Sequence, residues 1–228
     1  MTEYTTRFIP KMSNKNSNIL NDFHEYGANI DSREIFLQNY PEHEGNPGVD
    51  YKTANSFIKN LRSLNLSSNK NILIHLYSIG GEWNDCMAMY DAIQFSRSYI
   101  TMLSYGQTES SSTIILQAAS TRVLMPNSYF MAHYGTSGYI GEYQSVQNWS
   151  RYEAYICDIM ITIYAERCVK GQFFKSKKYT VEKVKKYLYT KFKNGDWYLT
   201  PEEAVYYGFA DGVLGDKQYS NLDILKTA

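Results

Sequence analysis

Tyr105-Gly106-Gln107-Thr108-Glu109-Ser110-Ser111-Ser112-Thr113-Ile114-Ile115-Leu116-Gln117-Ala118-Ala119, followed shortly by Pro126-Asn127-Ser128-Tyr129-Phe130-Met131-Ala132-His133, is the stretch that decides how this chain reads. An apolar run from Ile100 ends at a turn-forming glycine, Gly106, and an apolar helix begins at the serines. A serine at a strand-to-helix turn exposes its hydroxyl. The N–H groups that follow it lie at a helix N-terminus, where they can stabilise an oxyanion. His133 closes the next strand-like run and is placed to serve as a base. The layout is that of a serine hydrolase, lacking only an acid to orient the histidine.

Working outward, the same alternation continues on both sides. Upstream, Glu34 to Leu37 reads as a short strand, followed by a loop from Tyr40 to Val49 with two prolines. Asp50 can cap a helix whose apolar positions Phe57, Leu61 and Leu64 recur at helical spacing. Asn71 to Tyr77 is nearly continuous in apolar character, as a buried parallel strand is, and Ser78-Ile79-Gly80-Gly81 breaks it. A helix is predicted over Asn84–Phe95, with Cys86, Met89, Tyr90 and Ile93 inward. Strands are expected at 100–105, 122–125 and 129–133, and a helix at 110–119. Strand, helix, strand, helix argues for an α/β fold with right-handed crossovers.

Downstream, Gly135, Gly138 and Gly141 lie in an extended segment before a long helix, Tyr143 to Cys168. Trp149, Tyr152, Ile156, Ile159 and Ile163 form a broad stripe on that helix, which suits either core packing or a subunit contact. Val169 to Tyr179 reads as a basic loop and 181–192 as a helix. Thr200-Pro201-Glu202-Glu203 is a helix start with a capping box, and Gly208 ends that helix. Residues 1–32 are polar and aperiodic, with 13–18 loop-like, and are read as an N-terminal extension to a domain spanning 33–228.

Composition narrows the function classes. The 228 residues carry 23 Lys and Arg against 23 Asp and Glu, so neither nucleic acid nor an anionic membrane is the expected partner. Cys86, Cys157 and Cys168 are odd in number and lack metal-ligand spacing, which fits a reducing compartment and predicts no metal site. No run is long and apolar enough to span a membrane, and the polar N-terminus has no signal-peptide pattern; a cytoplasmic location is the expectation.

Of the four histidines, His24 and His43 lie in polar segments and His75 sits within a buried strand, where a structural role suits it. His133 stands at a strand end, where α/β folds assemble their sites. Asp196, in Asn194-Gly195-Asp196-Trp197-Tyr198, is a candidate acid that Trp197 and Tyr198 could partly bury; an ordinary turn is the competing reading. Asp211 and Asp158 are weaker candidates.

These motifs together resemble the proteolytic subunit of the Clp protease, a serine peptidase of the ClpP/crotonase fold. The resemblance covers roughly residues 33 to 215. Ser78-Ile79-Gly80-Gly81 is similar to the family's Ser-Pro-Gly-Gly turn, and Met87 to Phe95 to its next helix. Gly106-Gln107-Thr108-Glu109-Ser110 stands where the family has Gly-Gln-Ala-Ala-Ser. Pro126-Asn127-Ser128 and Met131-Ala132-His133 match Pro-Asn-Ser and Met-Ile-His. Asp196 to Thr200, with Glu203-Ala204 and Tyr207-Gly208, matches the segment that carries the acid. The details are most like virus-encoded members.

The resemblance implies stacked ββα units with a projecting handle, about 135–192. It implies a Ser110, His133, Asp196 triad and an oxyanion hole from the N–H groups of Gly81 and Ser111. It also implies that Gly80 and the Gly135–Gly141 segment bind polypeptide as an added strand. Heptameric rings, stacked into a tetradecamer, and a partner AAA+ ATPase are implied as well; the sequence has no Walker motif, and no cofactor is expected. Three departures stand out. Ile79 replaces a turn-fixing proline, Glu109 replaces a small residue beside the nucleophile, and Ser111 and Ser112 replace Met and Gly. The Glu109 carboxylate would either disfavour the oxyanion or point away into a subunit contact. The competing functions are a ring-forming homologue without activity and a crotonase-fold enzyme acting on acyl-CoA.

Overall fold

The computed structural model describes residues 14–38 and 48–227. In chain order, α1 (Asn14–Tyr26) leads to β1 (Ala28–Asn29), β2 (Glu34–Gln38), α2 (Tyr51–Ser67), β3 (Ile72–Ser78) and α3 (Trp83–Gln94). Next come β4 (Ile100–Glu109), α4 (Ser111–Ala118), β5 (Thr121–Leu124), β6 (Tyr129–Ala132) and the long α5 (Tyr143–Cys168). The chain continues through α6 (Gln172–Ser176), α7 (Val181–Phe192), β7 (Trp197–Leu199), α8 (Pro201–Tyr207), β8 (Gly212–Val213) and α9 (Leu222–Thr227).

The strands form one sheet in the order β1-β2-β3-β4-β5-β8, with β6 against β4 and β7 against β6. Pairs β2–β3, β3–β4, β4–β5, β4–β6 and β5–β8 are parallel. The apolar run of β3 follows from burial on both faces. Ile72, Ile74 and Leu76 meet the layer of helices, while Leu73 joins Leu103, Val123, Tyr219 and Leu225 on the other side. This is the α/β architecture of stacked ββα units expected from the sequence.

β4 is longer than its apolar run. It pairs with β5 through Thr101–Ser104 and with β6 through Gln107–Glu109. Gly106 lies between the two partners at φ +48°, a left-handed conformation that glycine adopts without penalty. A Cβ there would meet the Tyr77 ring at 2.8 Å. The register with β3 slips at the same level, from Leu76↔Ser104 to Ser78↔Thr108. Gly106 therefore bends the strand rather than ending it, which corrects the boundary expected at Tyr105. The bend lets one strand deliver Ser110 to the edge where β6 delivers His133.

Two other readings change. Residues 14–26 are helical, not aperiodic; Ile19, Leu20 and Phe23 fall at helical spacing within the polar run, and the Phe23 ring meets Phe36 edge-on at 4.8 Å. The 169–179 segment is not a loop throughout. It contains α6, which buries Phe174 and sets Phe173 against Tyr187 and Tyr207. Residues 40–47 of the two-proline loop, with His43 among them, and Ser13 lie outside the described residues.

The helix ends follow their capping residues. The Asp50 side chain accepts from Thr53 N–H at 2.8 Å. Thr200 and Glu203 close a capping box, and Gly208 ends α8 at φ +86°. Beyond it, Asp211 is claimed by Arg122. The guanidinium donates to both carboxylate oxygens at 3.0 and 2.6 Å, and to the Gly208 and Phe209 carbonyls. Burial pushes the Asp211 carboxyl up, but the hydrogen bonds and charge of Arg122 outweigh it and hold the group below the usual range. A depressed carboxylate adds stability that is complete above its unfolded pKa and fades as pH falls through the folded one. We expect Asp211→Ala to lower the unfolding free energy by about 2 kcal/mol near neutral pH, less than a fully buried pair because the carboxylate is partly solvated. The difference should shrink in strong acid, as denaturant titrations at several pH values would read.

Candidate active site

Ser110 caps α4 with φ 52° and ψ −130°, a conformation few non-glycine residues adopt. Its N–H donates to the Met131 carbonyl at 2.9 Å, so the elbow is pinned to β6. The three consecutive serines have different fates. Ser110 Oγ lies 2.8 Å from His133 Nε2. Ser111 Oγ is buried without a hydrogen-bond partner among the described residues. Ser112 Oγ donates to the carbonyls of Ser78 at 2.9 Å and Glu109 at 2.6 Å, tying the elbow to the end of β3. From beneath, the Cys86 thiol donates to the Ser111 carbonyl at 3.1 Å.

His133 and Asp196 meet because two strands run past their formal ends. β6 and β7 are antiparallel, with Phe130↔Leu199, Met131↔Tyr198 and Ala132↔Trp197. The next rung sets His133 opposite Asp196. Nδ1 and Oδ1 are 3.0 Å apart. An ionised carboxylate only accepts, so Nδ1 carries the proton and Nε2 is left as the acceptor for the Ser110 hydroxyl. The arrangement forms a continuous hydrogen-bonded chain from Ser110 through His133 to Asp196.

The acid is less sheltered than expected. The Asp196 side chain is 49% exposed despite its two aromatic neighbours. Strand alternation is the reason. Trp197 turns to the opposite face and packs on Tyr207, Phe209 and Phe192. Tyr198 shares the Asp196 face but leans over Tyr129. The other two acids are engaged elsewhere, Asp211 by Arg122 and Asp158 by Lys185 at 2.9 Å.

The other two described histidines, His75 and His24, stand apart from this chain of contacts. His75 is buried on the opposite side of β3 from Ile74, stacked on Phe36 at 4.1 Å, with Nδ1 2.9 Å from the Tyr105 hydroxyl. Burial pushes its imidazole down to about 4, so it is neutral in ordinary conditions. His24 is exposed on α1.

The Gly80-Gly81 turn lies directly against the elbow. A Cβ on Gly80 would stand 2.7 Å from Ser110 Cβ and 2.8 Å from the Ser111 nitrogen. Without the proline, the turn is held by side chain and backbone. Ser78 Oγ accepts from Gly80 N–H at 3.2 Å, Val49 N–H donates to the Gly80 carbonyl at 2.5 Å, and Glu82 N–H donates to the Val49 carbonyl at 2.8 Å. The N–H groups of Gly81 and Ser111 donate to no group among the described residues. Gly80→Ala meets both a φ of +87° and these contacts. It should push the Ser110 side chain off line and slow its reaction with a phosphonate by about 100-fold, the scale of a 1 Å misplacement. Labelling rates on folded protein would measure this.

Gly135, Gly138 and Gly141 lie in the exposed stretch between β6 and α5. That stretch is not a strand here; it folds back on the helix. Tyr139 stacks on Trp149 at 5.4 Å, and Trp149 Nε1–H donates to Ser137 Oγ at 3.2 Å. All three cysteines are free thiols, and no His, Cys, Asp and Glu cluster among the described residues has the makings of a metal site. No helix among them is long and apolar enough to cross a membrane.

Comparison with known proteins places the chain in a family. The sequence profile of the Clp protease family matches residues 24–217. The chain belongs to the Clp protease family. It is 28% identical over 170 residues to an ATP-dependent Clp protease proteolytic subunit 1 of Thermobifida fusca, spanning 73% of this chain and 70% of that one. It is 25% identical over 192 residues to the ATP-dependent Clp protease proteolytic subunit of Deinococcus radiodurans, covering 83% of each chain. A ClpP1 variant from Listeria monocytogenes shares the fold, with a TM-score of 0.67 at 20% identity, over 86% of this chain and 96% of that one. The Clp protease match begins inside α1, so β1 and the whole sheet fall within it.

Proposed function

We propose that the chain is a serine endopeptidase, the proteolytic subunit of a Clp-type chambered protease, with Ser110 as nucleophile, His133 as base and Asp196 as orienting acid. The observation that carries this reading is the unbroken line of contacts, 2.8 Å from Ser110 Oγ to His133 Nε2 and 3.0 Å from His133 Nδ1 to Asp196 Oδ1. His133 Nε2 takes the hydroxyl proton as Oγ attacks the peptide carbonyl, and Asp196 stabilises the imidazolium that forms. The N–H groups of Gly81 and Ser111, which donate to no group among the described residues, receive the developing oxyanion. His133 then gives its proton to the leaving amine, and water releases the acyl-enzyme by the reverse sequence.

The substrates in this reading are polypeptides bound as an added strand by the Gly80 turn and the Gly135–Gly141 segment, through main-chain hydrogen bonds and hence with weak sequence preference. Gly135–Gly141 must then lift from α5 for peptide to enter. The subunits assemble into heptameric rings, stacked as a tetradecamer, and an AAA+ ATPase in another chain unfolds and feeds the substrate. The match to ATP-dependent proteolytic subunits and the absence of a Walker motif support that division of labour. A silent ring-former would have no need of this hydrogen-bonded line, and an acyl-CoA crotonase would not need the serine. Labelling with a fluorophosphonate and mapping the modified residue tests the assignment; the adduct is expected on Ser110 alone, and an adduct on Ser111 or none at all would refute it.

A further inference from the structure

The residue before the nucleophile is a glutamate, and the structure shows what becomes of its charge. The Glu109 carboxylate accepts a hydrogen bond from the Tyr129 hydroxyl of the same chain. Both side chains are partly exposed, and the bond is made within one chain. Tyr129 stands opposite Gln107 in the β4–β6 ladder, so the contact runs diagonally across the two strands. Gln107 Oε1 lies 3.3 Å from the same hydroxyl as a second acceptor. The Tyr129 ring in turn faces Tyr198, with centroids 6.0 Å apart.

Each of these three side chains shares a strand or its continuation with one member of the Ser110–His133–Asp196 line. Glu109 immediately precedes Ser110 on β4. Tyr129 is on the His133 face of β6, with Met131 between them. Tyr198 is on the Asp196 face of β7, one alternation beyond it. The β4–β6 pairing is only Gln107–Glu109 against Tyr129–Met131, a short ladder for the two strands whose separation sets the distance from Oγ to Nε2. The phenol stays a donor well into alkaline conditions, since the hydrogen bond to Glu109 and then burial push it up to about 12.

We propose that Glu109 and Tyr129 are positioning residues for the hydrolytic reaction: their hydrogen bond clasps β4 to β6 and so sets Ser110 at bonding distance from His133. The inference rests on the triad reading for its kinetic consequence, but not for its geometry. The clasp also keeps the Glu109 carboxylate away from the site where the oxyanion would form. A negative charge next to the nucleophile is thereby turned from a liability into a brace.

The test uses the full chain and three variants, Tyr129→Phe, Glu109→Ala and Glu109→Gln, with a short peptide ester and in crystals. Tyr129→Phe keeps the ring against Tyr198 and loses only the hydroxyl, so folding is not at issue. It should lower kcat roughly tenfold with KM nearly unchanged, a fraction of what a full 1 Å misplacement costs. Glu109→Ala should do the same, the double variant should be no worse than either alone, and Glu109→Gln, whose amide oxygen still accepts, should restore most of the rate lost in Glu109→Ala. In crystals the 2.8 Å separation of Ser110 Oγ and His133 Nε2 should lengthen in Tyr129→Phe and not in Glu109→Gln. An unchanged kcat in Tyr129→Phe, or Glu109→Ala and Glu109→Gln both faster than wild type, would overturn the clasp and leave the triad standing. A wild type that neither turns over nor takes phosphonate would instead sink the triad reading; the crystallographic separations would then decide the clasp alone.

Discussion

Ser110→Ala is expected to lower peptide turnover by on the order of 10⁴-fold or more and to abolish phosphonate labelling. The size follows from what the substitution removes. Ser110 Oγ is the one hydroxyl of its run in contact with an imidazole; Ser112 is committed to two carbonyls, and Ser111 Oγ makes no polar contact. Neither neighbour can take over without unwinding the first turn of α4. His133→Ala should cost about as much as Ser110→Ala, because a serine hydroxyl without its base is not a nucleophile at neutral pH. The double variant should lose little more, since the members of a triad act as a unit. Asp196→Asn should be damaging as well, by leaving His133 free to adopt the wrong tautomer, but Asp196 is half exposed and water can partly replace it. We therefore expect its loss to be smaller than that of Ser110. Steady-state rates on a peptide ester would rank the three. Equal activity in Ser110→Ala and wild type would remove the mechanism altogether.

What the sequence made legible, and what it hid, divides along a physical line. Local pattern narrowed the choice to a serine at the helix start, the strand-end His133 and a few acids; the resemblance to the Clp family motifs singled out Ser110 among three serines and Asp196 over an ordinary turn. Their meeting is a matter of register. His133 faces Asp196 only because β6 and β7 pair antiparallel from Phe130↔Leu199 onward, and β7 is three residues long, too short to leave a periodic signature. The exposure of Asp196 is hidden from the sequence for the same reason. Aromatic neighbours suggest burial by composition, but alternation sends Trp197 into the core, away from the carboxylate. Helix α1 is hard to read because its apolar positions are few among polar residues, and α6 because a five-residue helix has no face to read. The partner of Glu109 was out of reach, lying on a different strand in a diagonal contact that spacing alone does not define.

The second large effect concerns α5. Of the predicted stripe, Ile163 is buried and Ile159 packs on the core, so ordinary packing accounts for its C-terminal part. From Tyr143 to Ile159, by contrast, no residue is buried. That part of the helix rises about 25 Å at 1.5 Å per residue, and it displays Tyr143, Val146, Tyr152 and Tyr155 to solvent. Trp149 is occupied by Tyr139, so the exposed tyrosines rather than the tryptophan are the uncovered surface. Apolar area of this extent on a projecting helix is normally covered by another chain. At about 1.5–3 kcal/mol for each large side chain fully withdrawn from water, a few of them suffice to hold two subunits. A second copy of this chain, in the facing ring, is the occupant implied by the proposed assembly. Tyr155 is 62% exposed, so Tyr155→Glu should leave the fold of the single chain intact while placing a carboxylate in that interface. We expect sedimentation velocity to show the wild type as a ring-based particle and Tyr155→Glu as single rings or smaller species. Activity should fall in step, because the segment joining His133 to α5 rests on the helix through Trp149 and takes its position from it. A wild type that sediments as a monomer at micromolar concentration with full activity would mean that the exposed tyrosines serve some purpose other than joining copies of this chain.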